Sequence, residues 1–220
     1  SVLALGHSVT NIPNPINTNL FRPLNKTQVR KNLNLPTDKK LLLFSSMKIT
    51  DPKKGIDYLV EACKLIQQQH PDFCRSLGVV VVGKESQQYA DLFPFPIYCL
   101  SYVGNEKELV NIYNAVDLFV TPSLQENLPN TIVEAMSCGI PCVGFNIGGI
   151  PQMIDHLHNG YVAQYKSSED LANGICWSLN EGDYASLSEE ARRKAVDTYS
   201  EQIVAMKYIK IYNHITGENA

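Results

Sequence analysis

The chain has 220 residues, 44% of them apolar and 19% charged, which fits one large globular domain or two small ones and excludes a disordered, collagen-like or fibrous protein. Nineteen Lys and Arg against 22 Asp and Glu leave a formal net charge of −3. No basic excess therefore points to nucleic acid or to an anionic membrane surface, and any phosphate the protein binds must be caught locally. Cys63, Cys74, Cys99, Cys138, Cys142 and Cys176 are spread through apolar runs with no Cys-x-x-Cys pair. In a chain large enough for its own core this reads as a reduced, cytosolic protein with structural thiols and no metal site. No apolar stretch approaches the roughly 20 residues of a membrane span. The start, Ser1 to His7, reads as neither the basic nor the apolar region of a leader, and its abrupt opening is what would be expected of a fragment.

Residues Thr10 to Pro36, rich in asparagine and carrying Pro13, Pro15, Pro23 and Pro36, predict an extended connector rather than a core element, ending in a short helix over Thr27–Leu33. A regular alternation follows. Lys40–Met47 predicts a strand, and Gly55–Gln69 an amphipathic helix with Ile56, Leu59, Val60, Cys63 and Ile66 on one stripe. Leu77–Gly83 is apolar at successive positions, as in a parallel sheet covered on both faces. Next come a strand at Ile97–Val103 and a helix at Lys107–Ala115, with the stripe Leu109, Ile112, Tyr113, Val116 and a cap at Asn105 followed by Glu108. A strand at Leu118–Thr121, a helix near Asn130–Cys138, a strand at Pro141–Phe145, a turn and helix over Gly148–Leu157 and a strand at Tyr161–Gln164 complete the alternation. Such a pattern predicts an α/β fold with a doubly wound, Rossmann-like parallel sheet, which binds ligands at the carboxyl ends of its strands. Ser168–Leu179, Tyr184–Thr198 and Ser200–Ile215 read as helices only. They outnumber the strands left to cover, so one is expected to pack against something outside this chain.

The segment Thr121–Ile154 carries the chemistry. On one continuous helix, Glu126 and Glu134 would lie about 80° apart and roughly 12 Å along the axis. If Glu126 instead sits in a strand-to-helix loop and Glu134 in the second helical turn, both can face one crevice. Pro129 suits that arrangement as a first helical residue, and Asn127 tolerates a tight backbone. Free amides at such a helix start attract an anion, and an acidic side chain beside a phosphate looks for hydroxyls, as on a ribose or a sugar. Spacing alone leaves open that these are two ordinary surface glutamates.

An ordered set of motifs goes further. The connector IPNPINTNLFRP, the segments KKGIDYLVEA and VVVVG, YVG, AVDLFVTPS, ENLPNTIVEAMSCGIPCV, GGIPQMI and HNGYVA follow one another from Asn11 to about Ile215. This set resembles the carboxyl-terminal donor-binding domain of the retaining GT-B glycosyltransferases of family 4 (glycosyltransferase group 1). The resemblance implies one half of a GT-B fold, a hexosyltransferase of polysaccharide biosynthesis, a UDP- or GDP-sugar donor, a glycan or glycolipid acceptor and no metal or other cofactor. It also implies an absent amino-terminal domain that holds the acceptor site, without which the chain would turn over slowly or not at all. Glu134 would accept hydrogen bonds from the ribose, and Glu126 would contact the donor sugar. Asn127, Leu128, Pro129, Asn130 and Thr131 would lie beside the sugar and diphosphate, and Val103 and Gly104 would meet the base through main-chain groups. Lys54 would pair with the diphosphate and stabilise the leaving group. Many relatives have a Gly-Arg pair after the first strand; here the sequence is FSSMKITDPKKG, and Lys48 is the nearby cation to replace the arginine, without its bidentate fork.

On this reading residues 1–24 form an interdomain connector, 25–199 the nucleotide-sugar-binding domain, and 200–220 a helix directed toward the absent domain. The full protein would be cytoplasmic or peripheral at the inner face of a membrane. A nucleotide-sugar epimerase on the same scaffold and a non-catalytic nucleotide-binding module are the rival readings. His156 and His158 diverge in side-chain direction and lack a third ligand, Asn25-Lys-Thr27 is a sequon without a sign of secretion, Gly148-Gly149 reads as a tight turn near the donor sugar, and Trp177 as packing.

Overall fold

The computed structural model describes residues 10–216. Its elements are α1 (Lys26–Asn32), β1 (Lys40–Lys48), α2 (Ile56–Gln69), α3 (Pro71–Cys74), β2 (Leu77–Lys84), β3 (Ile97–Leu100), α4 (Glu106–Ala115), β4 (Leu118–Thr121), α5 (Asn130–Ser137), β5 (Cys142–Phe145), α6 (Ile150–Met153), β6 (Gly160–Ala163), α7 (Ser168–Cys176), α8 (Tyr184–Tyr199) and α9 (Glu201–Thr216). The six strands form one parallel sheet in the order β3-β2-β1-β4-β5-β6. Strand order reverses between β1 and β4, and the chain therefore leaves these two neighbours in opposite directions, opening a crevice at their carboxyl ends.

Strand β1 shows why the sheet must be covered twice. Leu41 and Leu43 point into one apolar layer with Val80, Phe119, Ile132 and Tyr113, whereas Leu42 and Phe44 point into the other with Val79, Leu59, Ile66 and Leu171. Helices α4, α5 and α8 thus close one face and α2 and α7 the other. The stripe of α2 is buried along its whole length. Five cysteines are buried and Cys99 is half-buried, all as free thiols. Burial raises the five buried thiols, Cys138 to about 12, which makes those five packing groups rather than nucleophiles.

The sheet's other end is held by Asp117, between α4 and β4. Its carboxylate accepts from the Leu41 amide (2.7 Å), Arg30 Nη2 (2.6 Å) and Lys26 Nζ (2.6 Å). Arg30, 4% exposed, also donates to the carbonyls of Ala115 and Lys39. In this way α1 is bolted to the sheet.

Several boundaries differ from the sequence reading, each for a local reason. Strand β3 stops at Leu100. The helix expected over Gly148–Leu157 is the single turn α6, because Leu157 is left-handed (φ 63°) and Asn159 Oδ1 takes the Asp155 amide, diverting the chain into β6. Helix α7 ends at Cys176 and widens into a π-turn over Trp177–Glu181. The expected connector contributes to the core after all. Phe21 is 1% exposed and packs on the Tyr113 ring, the Ile16 amide donates to the Tyr199 carbonyl, and Arg192 donates to the carbonyls of Thr18, Phe21 and Ser137. Residues 1–9 of that segment lie outside the described residues, as do 217–220 at the other end. Helix α9 buries only Val204 and leaves Met206, Tyr208, Ile209, Tyr212 and Ile215 exposed. No helix among the described residues is long and apolar enough to cross a membrane.

Removing the carboxylate of Asp117 strands the buried Arg30 guanidinium without its counter-ion. Asp117→Ala is expected to cost about 3–5 kcal/mol of stability, to be read from the midpoint of a urea unfolding curve.

Candidate functional site

The crevice between β1 and β4 contains a cleft of about 540 Å³, lined by Ser45, Ser46, Met47 and Lys48 from the end of β1, Asp51 and Lys54 from the turn that follows, and Thr121, Ser123, Glu126, Leu128, Pro129, Asn130 and Thr131 from β4 and the start of α5. Asn14 of the leading segment also reaches it, donating to Asn130 Oδ1 at 3.3 Å. A volume of this size suits a small organic ligand.

At its head, Lys54 Nζ donates to Glu126 Oε1 at 2.5 Å, and Ser123 Oγ donates to the same oxygen at 3.0 Å. Two docked turns bring this pair together. Asp51 caps the 3₁₀ turn Pro52–Lys54 by accepting from the Lys53 amide, and Gly55 follows in a left-handed conformation (φ 69°). A Cβ on Gly55 would lie 2.0 Å from the Pro122 carbonyl oxygen, so only glycine permits this approach. The Leu124 amide donates to the Lys53 carbonyl at 2.7 Å, fastening the lysine turn to the glutamate loop. From the opposite side the Gly148-Gly149 turn closes on the same loop. A Cβ on Gly148 (φ 56°) would fall 1.9 Å from the Glu126 carbonyl oxygen, one on Gly149 2.3 Å from that of Asn127, and the Gly149 amide donates to Asn127 at 2.6 Å.

Pro129, expected as the first helical residue, is instead the N-cap of α5 (φ −69°, ψ 119°). A prolyl cap has no side-chain acceptor to offer. No side chain caps the helix, and its first two residues, Asn130 and Thr131, line the cleft, where the helix dipole favours an anion.

Of the residues picked out from sequence, Lys54, Lys48, Glu126, Leu128, Pro129, Asn130 and Thr131 share the cleft. Asn127 lies exposed on its rim and spends its carbonyl on Gly149. Glu134 does not line the cleft. It is half-buried in α5, where its Oε2 accepts from the Tyr113 hydroxyl of α4 at 2.7 Å. Burial raises its carboxyl above the ordinary value and the Glu106 charge adds to this, while the Tyr113 hydrogen bond opposes it. Val103 and Gly104 also stand outside the cleft, in the segment leading into α4. Gly104 is not crowded by the protein, since a Cβ there would meet nothing nearer than Tyr102 at 3.8 Å. Residues missed from sequence are Asn14, Phe44, Ser45, Ser46, Met47, Asp51, Thr121 and Ser123. The serines of FSSMK, polar residues ending an otherwise apolar buried strand, carried the signal.

His156 Nδ1 accepts from the Val162 amide and His158 pairs with Glu190, so both are accounted for as structural groups. Asn25 accepts from the Gln28 amide as the cap of α1, and Trp177 packs on Tyr161.

A profile of the family described as glycosyl transferases group 1 matches residues 38–181. The D-inositol 3-phosphate glycosyltransferase of Thermobispora bispora is 28% identical over 197 residues, covering 84% of this chain and 46% of that protein. The chain spans about half the length of the curated relatives it matches. Among solved structures, the carboxyl-terminal domain of a glycosyl transferase group 1 family protein from Francisella tularensis aligns with a TM-score of 0.70 at 20% identity, over 85% of this chain and 100% of that one. The Anabaena protein HepE in complex with UDP-glucose aligns with a TM-score of 0.72 at 21% identity, over 92% of this chain and 57% of that one. These likenesses show the fold, a Rossmann-like α/β sheet of the kind found in GT-B glycosyltransferases.

The two glycines tested by geometry should behave oppositely. Gly148→Ala is expected to lose at least about 1–2 kcal/mol from the left-handed backbone alone, with the clash against Glu126 added. Gly104→Ala is expected to stay within about 0.5 kcal/mol of the parent. Thermal unfolding of both variants checks the contrast.

Proposed function

Because the chain belongs to the glycosyl transferases group 1, we propose that it is the donor-binding half of a retaining GT-B glycosyltransferase of family 4, holding a UDP- or GDP-sugar in the crevice between β1 and β4. The observation that carries this reading is the Lys54–Glu126 pair at the head of a cleft whose wall is the uncapped start of α5. Cation and helix start meet a diphosphate, and the carboxylate beside them meets hydroxyls. A likeness in fold to HepE, whose structure holds UDP-glucose, supports the same ligand class.

In this proposal the diphosphate lies against the Asn130 and Thr131 amides with Lys54 and Lys48 as its cations. No metal ion is included, since these groups take up the leaving group's charge. As the anomeric carbon–oxygen bond breaks, negative charge grows on the diphosphate and positive charge on the sugar ring. Fixed donors aimed at the developing oxyanion lower that barrier without reorganising. Glu126, accepting from sugar hydroxyls, orients the ring and faces its positive charge. Glu134 accepts from the ribose, and the main chain at Val103 and Gly104 borders the base.

An amino-terminal domain with the acceptor site is part of the proposal. The half-length match to relatives and the exposed apolar side of α9 support it. The acceptor is then a glycan or glycolipid, the full protein works in the cytoplasm or at the membrane's inner face, and this chain alone binds donor with little turnover.

Calorimetric titration of UDP-, GDP- and ADP-sugars into the chain tests the reading, and absence of heat from all of them overturns it. Glu134→Ala is expected to weaken binding of the bare nucleoside diphosphate by about 1–3 kcal/mol. Glu126→Ala should be felt with the sugar-bearing donor and barely with the diphosphate. The opposite ranking would exchange the two assignments.

A further inference from the structure

Tyr113 has appeared so far as a core ring and as the partner of Glu134, yet its placement is costly. The side chain is 1% exposed, lodged edge-on against Phe119 (6.0 Å between centroids, 80°) and tilted on Phe21 (6.4 Å). A phenylalanine would fill the same space without bringing a hydroxyl into the core. That hydroxyl has its partner in Glu134 Oε2, to which it donates at 2.7 Å. Locked by two rings, it holds the carboxylate at one fixed angle, which a half-buried glutamate with three free torsions would not keep by itself.

We propose that Tyr113 is a positioning residue for ligand binding, fixing Glu134 through Oε2 so that Oε1 is left to accept from a pair of vicinal hydroxyls. This rests on the assignment of Glu134 to the ribose. The bond does two things. It saves the ligand the entropy of ordering the carboxylate, and it stabilises the ionised form, which is the form that accepts from hydroxyls. The titratable groups that bear on Glu134 are Tyr113 and Glu106 from α4, and Cys138, the C-cap of its own helix, feels the Glu134 charge in turn. Burial and Glu106 favour the protonated acid, and the Tyr113 hydrogen bond opposes both. Loss of the hydroxyl therefore moves Glu134 further up, and ligand affinity begins to fall at a higher pH as the solution is acidified.

The experiment measures binding of UDP and GDP to the wild-type chain, Tyr113→Phe, Glu134→Gln and the double variant across pH, with unfolding curves confirming that each variant is folded. Tyr113→Phe is expected to weaken binding about 3–10-fold at neutral pH and to shift the acid limb to higher pH, and to have no further effect in the Glu134→Gln background. A 2′,3′-dideoxy nucleoside diphosphate, which lacks the hydroxyl pair, should bind wild type and Tyr113→Phe equally, a comparison that a merely structural tyrosine would also satisfy only if the parent nucleotide showed no difference. Unchanged affinity and an unmoved acid limb in Tyr113→Phe, with Glu134→Gln impaired, overturn the role of Tyr113 and leave the ribose assignment standing. If Glu134→Gln binds as tightly as wild type, or if neither nucleotide binds, the ribose assignment itself fails and the role of Tyr113 with it.

Discussion

The loop from Pro122 to Pro129 is the constraint on which the site depends, and it is gripped from two sides by backbone with no side chain in between. Gly55 presses on Pro122 and Gly148-Gly149 on Glu126 and Asn127, at separations that any Cβ would turn into collision. Main-chain bonds from Leu124 to Lys53 and from Gly149 to Asn127 lock both contacts. Because two segments remote in sequence converge on these eight residues, the backbones carrying Lys54 and Glu126 are held at a set separation, within which the two side chains meet. Preorganisation of this kind is what a site needs if its charges are not to spend binding energy on their own ordering.

The grip also explains how a chain of net charge −3 can offer a place to an anion. Lys54 is held against Glu126, so its charge is compensated within the protein, and the pair sits beside helix-start amides that carry a partial positive charge without any ionised group. In the proposed complex a diphosphate would compete for Lys54 while its sugar occupied Glu126. Both partners of the pair thereby exchange one protein contact for a ligand contact, and neither is left as a bare half-buried charge.

Much of this was legible in the sequence. Apolar runs and stripes gave the parallel sheet and the helices on its two faces, because burial on both sides leaves little freedom in the pattern. Pro129 favoured the loop placement of Glu126 and the helical placement of Glu134 over one continuous helix, although it caps α5 rather than opening it. What was not legible arose from long-range contacts. Phe21 reads as part of a proline-rich connector, and nothing local announces that it enters the core beside Tyr113. Leu157 and Asn159 end the expected helix after Gly148 through a left-handed residue and a side-chain bond to Asp155 that periodicity does not encode. Tyr113 was read as one member of an apolar stripe, which is true of its ring and silent about its hydroxyl. In the cleft, Ser45, Ser46 and Ser123 were overlooked because short hydroxylated residues at strand ends are common in any sheet.

Helix α5 ties these parts together as a ruler. Its uncapped start at Asn130 faces the cleft, and Glu134 lies four residues on, about 6 Å along the axis and roughly 40° around it. One end therefore offers amides and the next turn a carboxylate, on neighbouring faces of one rigid element. The chemical order along a nucleoside diphosphate is the same, phosphates first and ribose hydroxyls a few ångströms further. The cleft proper stops short of Glu134, so a ligand reaching both must lie across the helix surface toward α4, where Tyr113 fixes the carboxylate and the segment through Val103 and Gly104 begins. A ligand short of that reach, such as a free sugar phosphate, would engage only the lysine end and forgo the second point of attachment, so on the proposed assignment the whole nucleotide would be the better ligand.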